Sequence, residues 1–218
     1  NSYSTLTSEV RFIKSDEPLS EFQLIQKRIT GLEYSVDQFE DHFYIVNNKD
    51  NSFNYKISKV SITDPSYTNW VDIMEHRESV LIEDLDIFKD YWVVTEREQG
   101  LTKLRVQSWD GSENYFIPVE GETYDIYTGL NPSFNSIKLR YGFTSLKTPS
   151  SILEFDMLSK SKKLLKQKDV IDNNFDIENY IEKRVFAESR DGLSIPISLI
   201  YKKDIDLNPE TPLLLYAY

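Results

Sequence analysis

The 218-residue chain carries 36 acidic against 25 basic side chains, a net charge of −11, and no cysteine. That charge argues against a nucleic-acid backbone or an anionic membrane as the main partner, because either would repel the surface. The missing thiols exclude disulfides, thiolate nucleophiles and cysteine-bound zinc, and no apolar run approaches the roughly 20 residues of a membrane-spanning helix.

Apolar residues make up 39% of the chain, and 14 Tyr, 12 Phe and 3 Trp favour strands, since flat side chains pack well on a pleated surface. The opening Asn1-Ser2-Tyr3-Ser4 has no Met, no basic n-region and no apolar h-region. It runs almost directly into a strand pattern and is expected to be a cut inside a longer protein. A cysteine-free chain without a visible leader fits a cytoplasmic location, with the periplasm left open.

In chain order, a repeat dominates. Four segments resemble one another: 21–26 (EFQLIQ), 69–73 (NWVDI), 113–117 (ENYFI) and 162–166 (KKLLK). They recur about every 45 to 48 residues. Between them lie three triplets of strand-like runs: 32–36, 42–46 and 53–58; then 81–87, 91–95 and 102–107; then 124–128, 137–143 and 151–155. Asn, Asp, Gly and Pro punctuate them at 47–50, 99–100, 110–111, 131–132 and 148–151, where the backbone needs positive φ or a preset bend. Four short strands per period of about 45 residues describe a β-propeller blade. A β-sandwich also spaces strands every 8–12 residues but has no reason to repeat at this period. The expected fold is mainly β: a partial propeller of about three and a half blades, its first half-blade consisting of strands at 9–13 and 21–26, where complete propellers close with four to eight.

After residue 168 the pattern changes. Residues 169–182 are polar and rich in Asn and Asp, reading as a linker rather than a calcium loop, because the acidic spacing and the Gly of an EF-hand are absent. Runs at 183–190 and 193–201 flank Asp191-Gly192, a strong hairpin signal. The final PLLLYAY (212–218) is continuously apolar, as in a strand covered on both faces. The expected domains are therefore 1–172, the last propeller blades, and 173–218, a linker with the first strands of a truncated second domain.

Several stretches carry a family resemblance: EYSVDQFEDHFYIVNN (33–48), EDLDIFKDYWVVTEREQGLTKLRV (83–106), FTSLKTPSSILEFDM (143–157), and the hairpin Arg190-Asp191-Gly192-x-x-x-Pro196-x-x-x-x-Tyr201 followed by PLLLY. Together they resemble the oligopeptidase B (protease II) group of the prolyl oligopeptidase family. The resemblance implies a seven-bladed propeller capping an α/β-hydrolase domain, a Ser-His-Asp mechanism without a cofactor, and short peptides as partners, cleaved after Arg or Lys. It also implies a role for Tyr218, which falls on the second Tyr of the family's Tyr-Gly-Tyr-Gly element, a hydroxyl donor to the oxyanion. Ala217 departs from that pattern.

The triad itself is not expected in this chain. No Gly-x-Ser-x-Gly occurs, and the only histidines, His42 and His76, read as a structural strand residue and an exposed loop residue. The chain alone is expected to be inactive. Acids at Glu83, Asp84 and Asp86, and from Glu96 to Glu98, are candidates for a tunnel lining that draws cationic peptides, or for ordinary surface charge. Self-association through an unpaired blade edge is expected as well. Rival readings are a non-catalytic propeller that binds a partner, and a related prolyl oligopeptidase or acylaminoacyl peptidase.

Overall fold

A computed structural model describes residues 2–4, 6–172 and 175–217. At the N-terminus β1 (Ser2–Ser4) pairs with β2 (Thr7–Glu9), and β3 (Arg11–Phe12) pairs with β4 (Gln23–Leu24), all antiparallel. The expected half-blade is present, with β1 as a strand that the repeat did not reveal.

Three four-stranded antiparallel sheets follow. The first holds β5 (Tyr34–Phe39), β6 (His42–Asn47), β7 (Lys56–Ser61) and β8 (Val71–Met74). The second holds β9 (Val80–Ile87), β10 (Tyr91–Glu98), β11 (Leu101–Ser108) and β12 (Asn114–Phe116). The third holds β13 (Tyr124–Thr128), β14 (Lys138–Ser145), β15 (Ser151–Asp156) and β16 (Lys162–Gln167). Each sheet is a meander in sequence order, and the four repeated segments fall on β4, β8, β12 and β16, the last strand of each unit. The third triplet strand of the first sheet begins at Lys56 rather than at residue 53. Asp50, Asn51 and Tyr55 all take positive φ, so this stretch is a tight loop with Phe53 on its surface.

The sheets stack face to face in succession, as burial parity shows. On β6, Phe43 and Ile45 pack toward Val10 and Ile25 of the N-terminal strands. Their neighbours Tyr44 and Val46 pack the other way, against Ile82, Leu85, Trp92 and Val94 of the second sheet. On β10 the rule repeats: Trp92 and Val94 face the first sheet, while Tyr91 and Val93 join Ile126, Leu139, Tyr141 and Phe155 of the third. Side chains alternate across a strand, so a middle strand apolar at every position must be covered on both faces. A two-sheet sandwich covers each sheet once, so the successive seams identify a propeller arc. Aromatic stacking reinforces one seam: the rings of Phe39 and Trp109 lie 4.2 Å apart and nearly parallel, and Trp109 Nε1 donates to the Phe88 carbonyl.

Beyond the third sheet, a short 3-10 turn at Ile177–Asn179, capped by the Asp176 carboxylate, leads into β17 (Tyr180–Glu188) and β18 (Ser194–Lys202). These two form the expected hairpin, starting earlier than residue 183. Gly192 takes φ 82° in a three-residue loop, where Ser189 and Leu193 close the ladder. Residues 212–217 form no strand, and Leu213 to Tyr216 are exposed. The expected buried strand is thus not formed here, because no strand among the described residues lies alongside to accept its backbone hydrogen bonds.

Candidate functional site

Tyr218 lies outside the described residues. The histidines stand apart from each other and from any elbow. His42 opens β6 with its Nδ1 2.7 Å from the Asp41 carboxylate. His76, expected to be exposed, is half-buried on the connection from β8 to β9, its ring edge-on to Phe53 at 4.8 Å. Among the described residues no hydrogen bond joins either histidine to a serine hydroxyl, and no group of three or more His, Asp or Glu side chains is arranged to hold a metal.

The candidate acids separate into two sets. Glu83 pairs with Arg97 (2.6 Å), Glu98 with Lys103 (2.6 Å), and Glu96 is buried between two guanidinium groups. Arg105 from β11 and Arg77 from the connection into β9 each place two nitrogens on the Glu96 carboxylate, at 2.7 and 3.2 Å and at 2.8 and 3.2 Å. Burial alone would raise this carboxyl's pKa, but the two arginines outweigh it and hold it below the usual value. A register shift between Thr95 and Glu96 in the β9–β10 pairing sits at this point.

Asp84 and Asp86 are different. They lie on β9, the first strand of its sheet, opposite Asp37 on β5, the first strand of the preceding one. First strands face the axis of a propeller, so three carboxyls crowd the inner rim. Burial, then the charges of Asp84 and Asp86, push Asp37 up to about 6. Asp86 is also pushed up to about 6, chiefly by burial and further by Asp84, although the Thr128 hydroxyl on the third sheet's first strand pulls it down. Chemically this rim holds negative charge at neutral pH and sheds part of it under mild acid. Asp37 was not among the residues singled out in the sequence: a lone Asp in an alternating strand gives no local signal.

A stability consequence follows. The folded state holds these protons more tightly than the unfolded chain, whose Asp titrates near 3.9. The contribution of these two carboxyls to stability is therefore fullest below about pH 4, is lost as pH rises through about 6, and stays absent above that. Asp37→Asn with Asp86→Asn is expected to stabilise the propeller at pH 7.5 by about 1–2 kcal/mol and to flatten the pH dependence. Denaturation at pH 4.5 and 7.5 measures it, and an unchanged slope between the two would count against the crowding.

The hairpin is fastened to the propeller on the side of the β10–β11 turn. Thr123 Oγ1 donates to Glu182 at 3.0 Å, the Arg184 amide donates to Glu122 at 3.1 Å, and the Arg184 guanidinium donates to the Gln99 carbonyl. Beside this junction lies a cleft of about 440 Å³, walled by Tyr141, Phe143, Leu153 and Ile177.

With this geometry in place, comparison with known proteins identifies the fold's lineage. The family model for the N-terminal β-propeller domain of prolyl oligopeptidase matches residues 1–168. Dipeptidyl aminopeptidase BI of Pseudoxanthomonas mexicana is 33% identical over 99% of this chain, and Protease 2 of Moraxella lacunata is 27% identical over 100%. The chain spans 29% and 31% of those two relatives. Oligopeptidase B from Trypanosoma brucei, solved in a closed form with covalently bound antipain, superposes with a TM-score of 0.83 at 26% identity, covering 94% of this chain and 30% of that one. The Leishmania major oligopeptidase B structure gives 0.82 at 24%, a likeness of fold, covering 94% and 30%. The chain belongs to the prolyl oligopeptidase family, whose homologues are serine peptidases and whose N-terminal propeller its residues 1–168 match.

Proposed function

We propose that the protein containing this chain is a serine oligopeptidase that cleaves short peptides after Arg or Lys, with the propeller gating access to a hydrolase domain that begins near residue 173. The observation that carries this reading is the run of stacked four-stranded sheets continuing into the RDG hairpin, in the family's order. An acidic inner rim at Asp37, Asp84 and Asp86 favours cationic peptides by long-range attraction. The nucleophile, base and orienting acid come from sequence outside this region, and Tyr218 supplies a hydroxyl to the oxyanion. A second reading comes from the 33% relative, whose name specifies a dipeptidyl aminopeptidase: removal of dipeptides from free N-termini.

The test is hydrolysis by the full-length protein of N-terminally blocked Arg, Lys and Pro chromogenic peptides alongside free-amine dipeptide substrates. Turnover of blocked Arg and Lys substrates that a serine-directed phosphonate abolishes supports the first reading. Activity on free-amine dipeptides alone supports the second, and a Pro preference excludes both. No turnover at all would leave a binding propeller. The 218-residue chain by itself is expected to turn over none of them, because it holds neither a nucleophile elbow nor a histidine placed as base. Phosphonate labelling of the repurified chain would contradict that expectation.

A further inference from the structure

The junction between the third sheet and the hairpin is built more closely than chain connectivity requires. Glu182 and Arg184 lie on one face of β17, two residues apart, and reach two separate turns of the propeller. Glu182 accepts from Thr123 Oγ1, two residues past Gly121, where a Cβ would stand 2.6 Å from Glu182 Oε1. Arg184 donates to the carbonyl of Gln99, next to Gly100, where a Cβ would stand 3.1 Å from Arg184 Nη2. Both glycines have left-handed φ, +101° and +76°. Each side chain therefore enters a socket that exists because a turn needed glycine. The Arg184 backbone amide adds a third tie, to Glu122, and the guanidinium is steadied within the hairpin by Ser198 Oγ at 3.4 Å. Bonds with an ionised partner are the stronger kind, and two anchor points on different turns fix an angle where one would leave a swivel.

We propose that Glu182 and Arg184 form a two-point latch that sets the angle between the propeller and the domain that the hairpin opens, and thereby the length of peptide admitted between them. The inference rests on the oligopeptidase reading. Both are positioning residues, acting through the turns they hold. Breaking the Arg184 anchor widens the aperture and relaxes exclusion of long chains, while hydrolysis of short peptides changes little.

The experiment uses the full-length protein and Arg184→Ala, with Arg184→Lys as the variant that keeps the charge and one donor. Two quantities are read: the radius of gyration by small-angle X-ray scattering, and the ratio of kcat/KM for a peptide of about 30 residues to that for a tetrapeptide with the same Arg site. Arg184→Ala is expected to expand the protein and raise the ratio about tenfold, the worth of one charge-assisted hydrogen bond, with Arg184→Lys between it and wild type. A merely structural role would lower the melting temperature and leave the ratio alone, and that result overturns the latch. Should Arg184→Ala not fold, the near-isosteric Thr123→Val, which removes the hydroxyl donated to Glu182, carries the same test. Wild-type protein that cleaves neither peptide defeats the peptidase reading instead. Scattering then decides the latch by itself, an unchanged radius overturning it.

Discussion

Replacing Tyr218 by Phe in the full-length peptidase proposed above is expected to lower kcat about 100- to 1000-fold with little change in KM. A phenol offers one directional O–H donor on a rigid ring. If it is aimed at the position the carbonyl oxygen takes once tetrahedral and negative, it acts on the transition state and leaves substrate binding almost untouched. Removing one such donor costs about 2.7–4 kcal/mol in comparable sites. The Phe variant keeps the ring, so any packing role survives and the hydroxyl alone is tested. Steady-state kinetics on a blocked Arg substrate, with a melting curve beside them, give the answer. Near-normal kcat would reduce Tyr218 to a core aromatic.

The second large effect concerns Glu96. Its side chain is 2% exposed and carries two arginines, one from its neighbouring strand and one from the connection that enters the second sheet. Glu96→Ala removes the single anion and leaves two guanidinium groups partly buried without it. Breaking a buried ion pair from one side costs about 3–5 kcal/mol, because the remaining charge has lost its solvent and its partner. Native-state hydrogen exchange suits the measurement, since a multidomain protein need not unfold in one step. Amides of β9 to β11 are expected to open about 150- to 4000-fold more often, with those of β1 to β4 little changed. Uniform loss of protection would mean that the network holds more than its own sheet.

The propeller was legible because its signal is redundant. Four outer strands share a pattern, turn residues separate them, and β6 and β10 carry unbroken apolar runs at 43–46 and 91–94, so an error in one strand leaves the period intact. The one displaced strand shows the limit. Phe53 reads as strand by side-chain type, yet Asp50, Asn51 and Tyr55 hold positive φ around it, a backbone fact that residue type announces only weakly. The acid rim was half visible. Asp84 and Asp86 stand in an obvious acidic run, whereas Asp37 joins them only after two sheets are stacked. The latch was invisible, since nothing local links Glu182 to a turn 59 residues earlier. Tyr218 came from resemblance alone.

Burial parity along β10 has a consequence for how such a chain can change over time. Val93 and Val94 are chain neighbours, yet they belong to different seams. A shift in volume at Val94 has to be accommodated by Tyr44, Val46 or Ile57 in the preceding blade, and one at Val93 by Ile126 or Leu139 in the following blade. Compensating substitutions in a drifting lineage should accordingly come in pairs separated by roughly one blade length, about 45 residues, and not in adjacent positions. Each seam can then wander at its own pace. Its two flanking sheets co-evolve through it, while the alternate side chains of those same strands answer to a different neighbour.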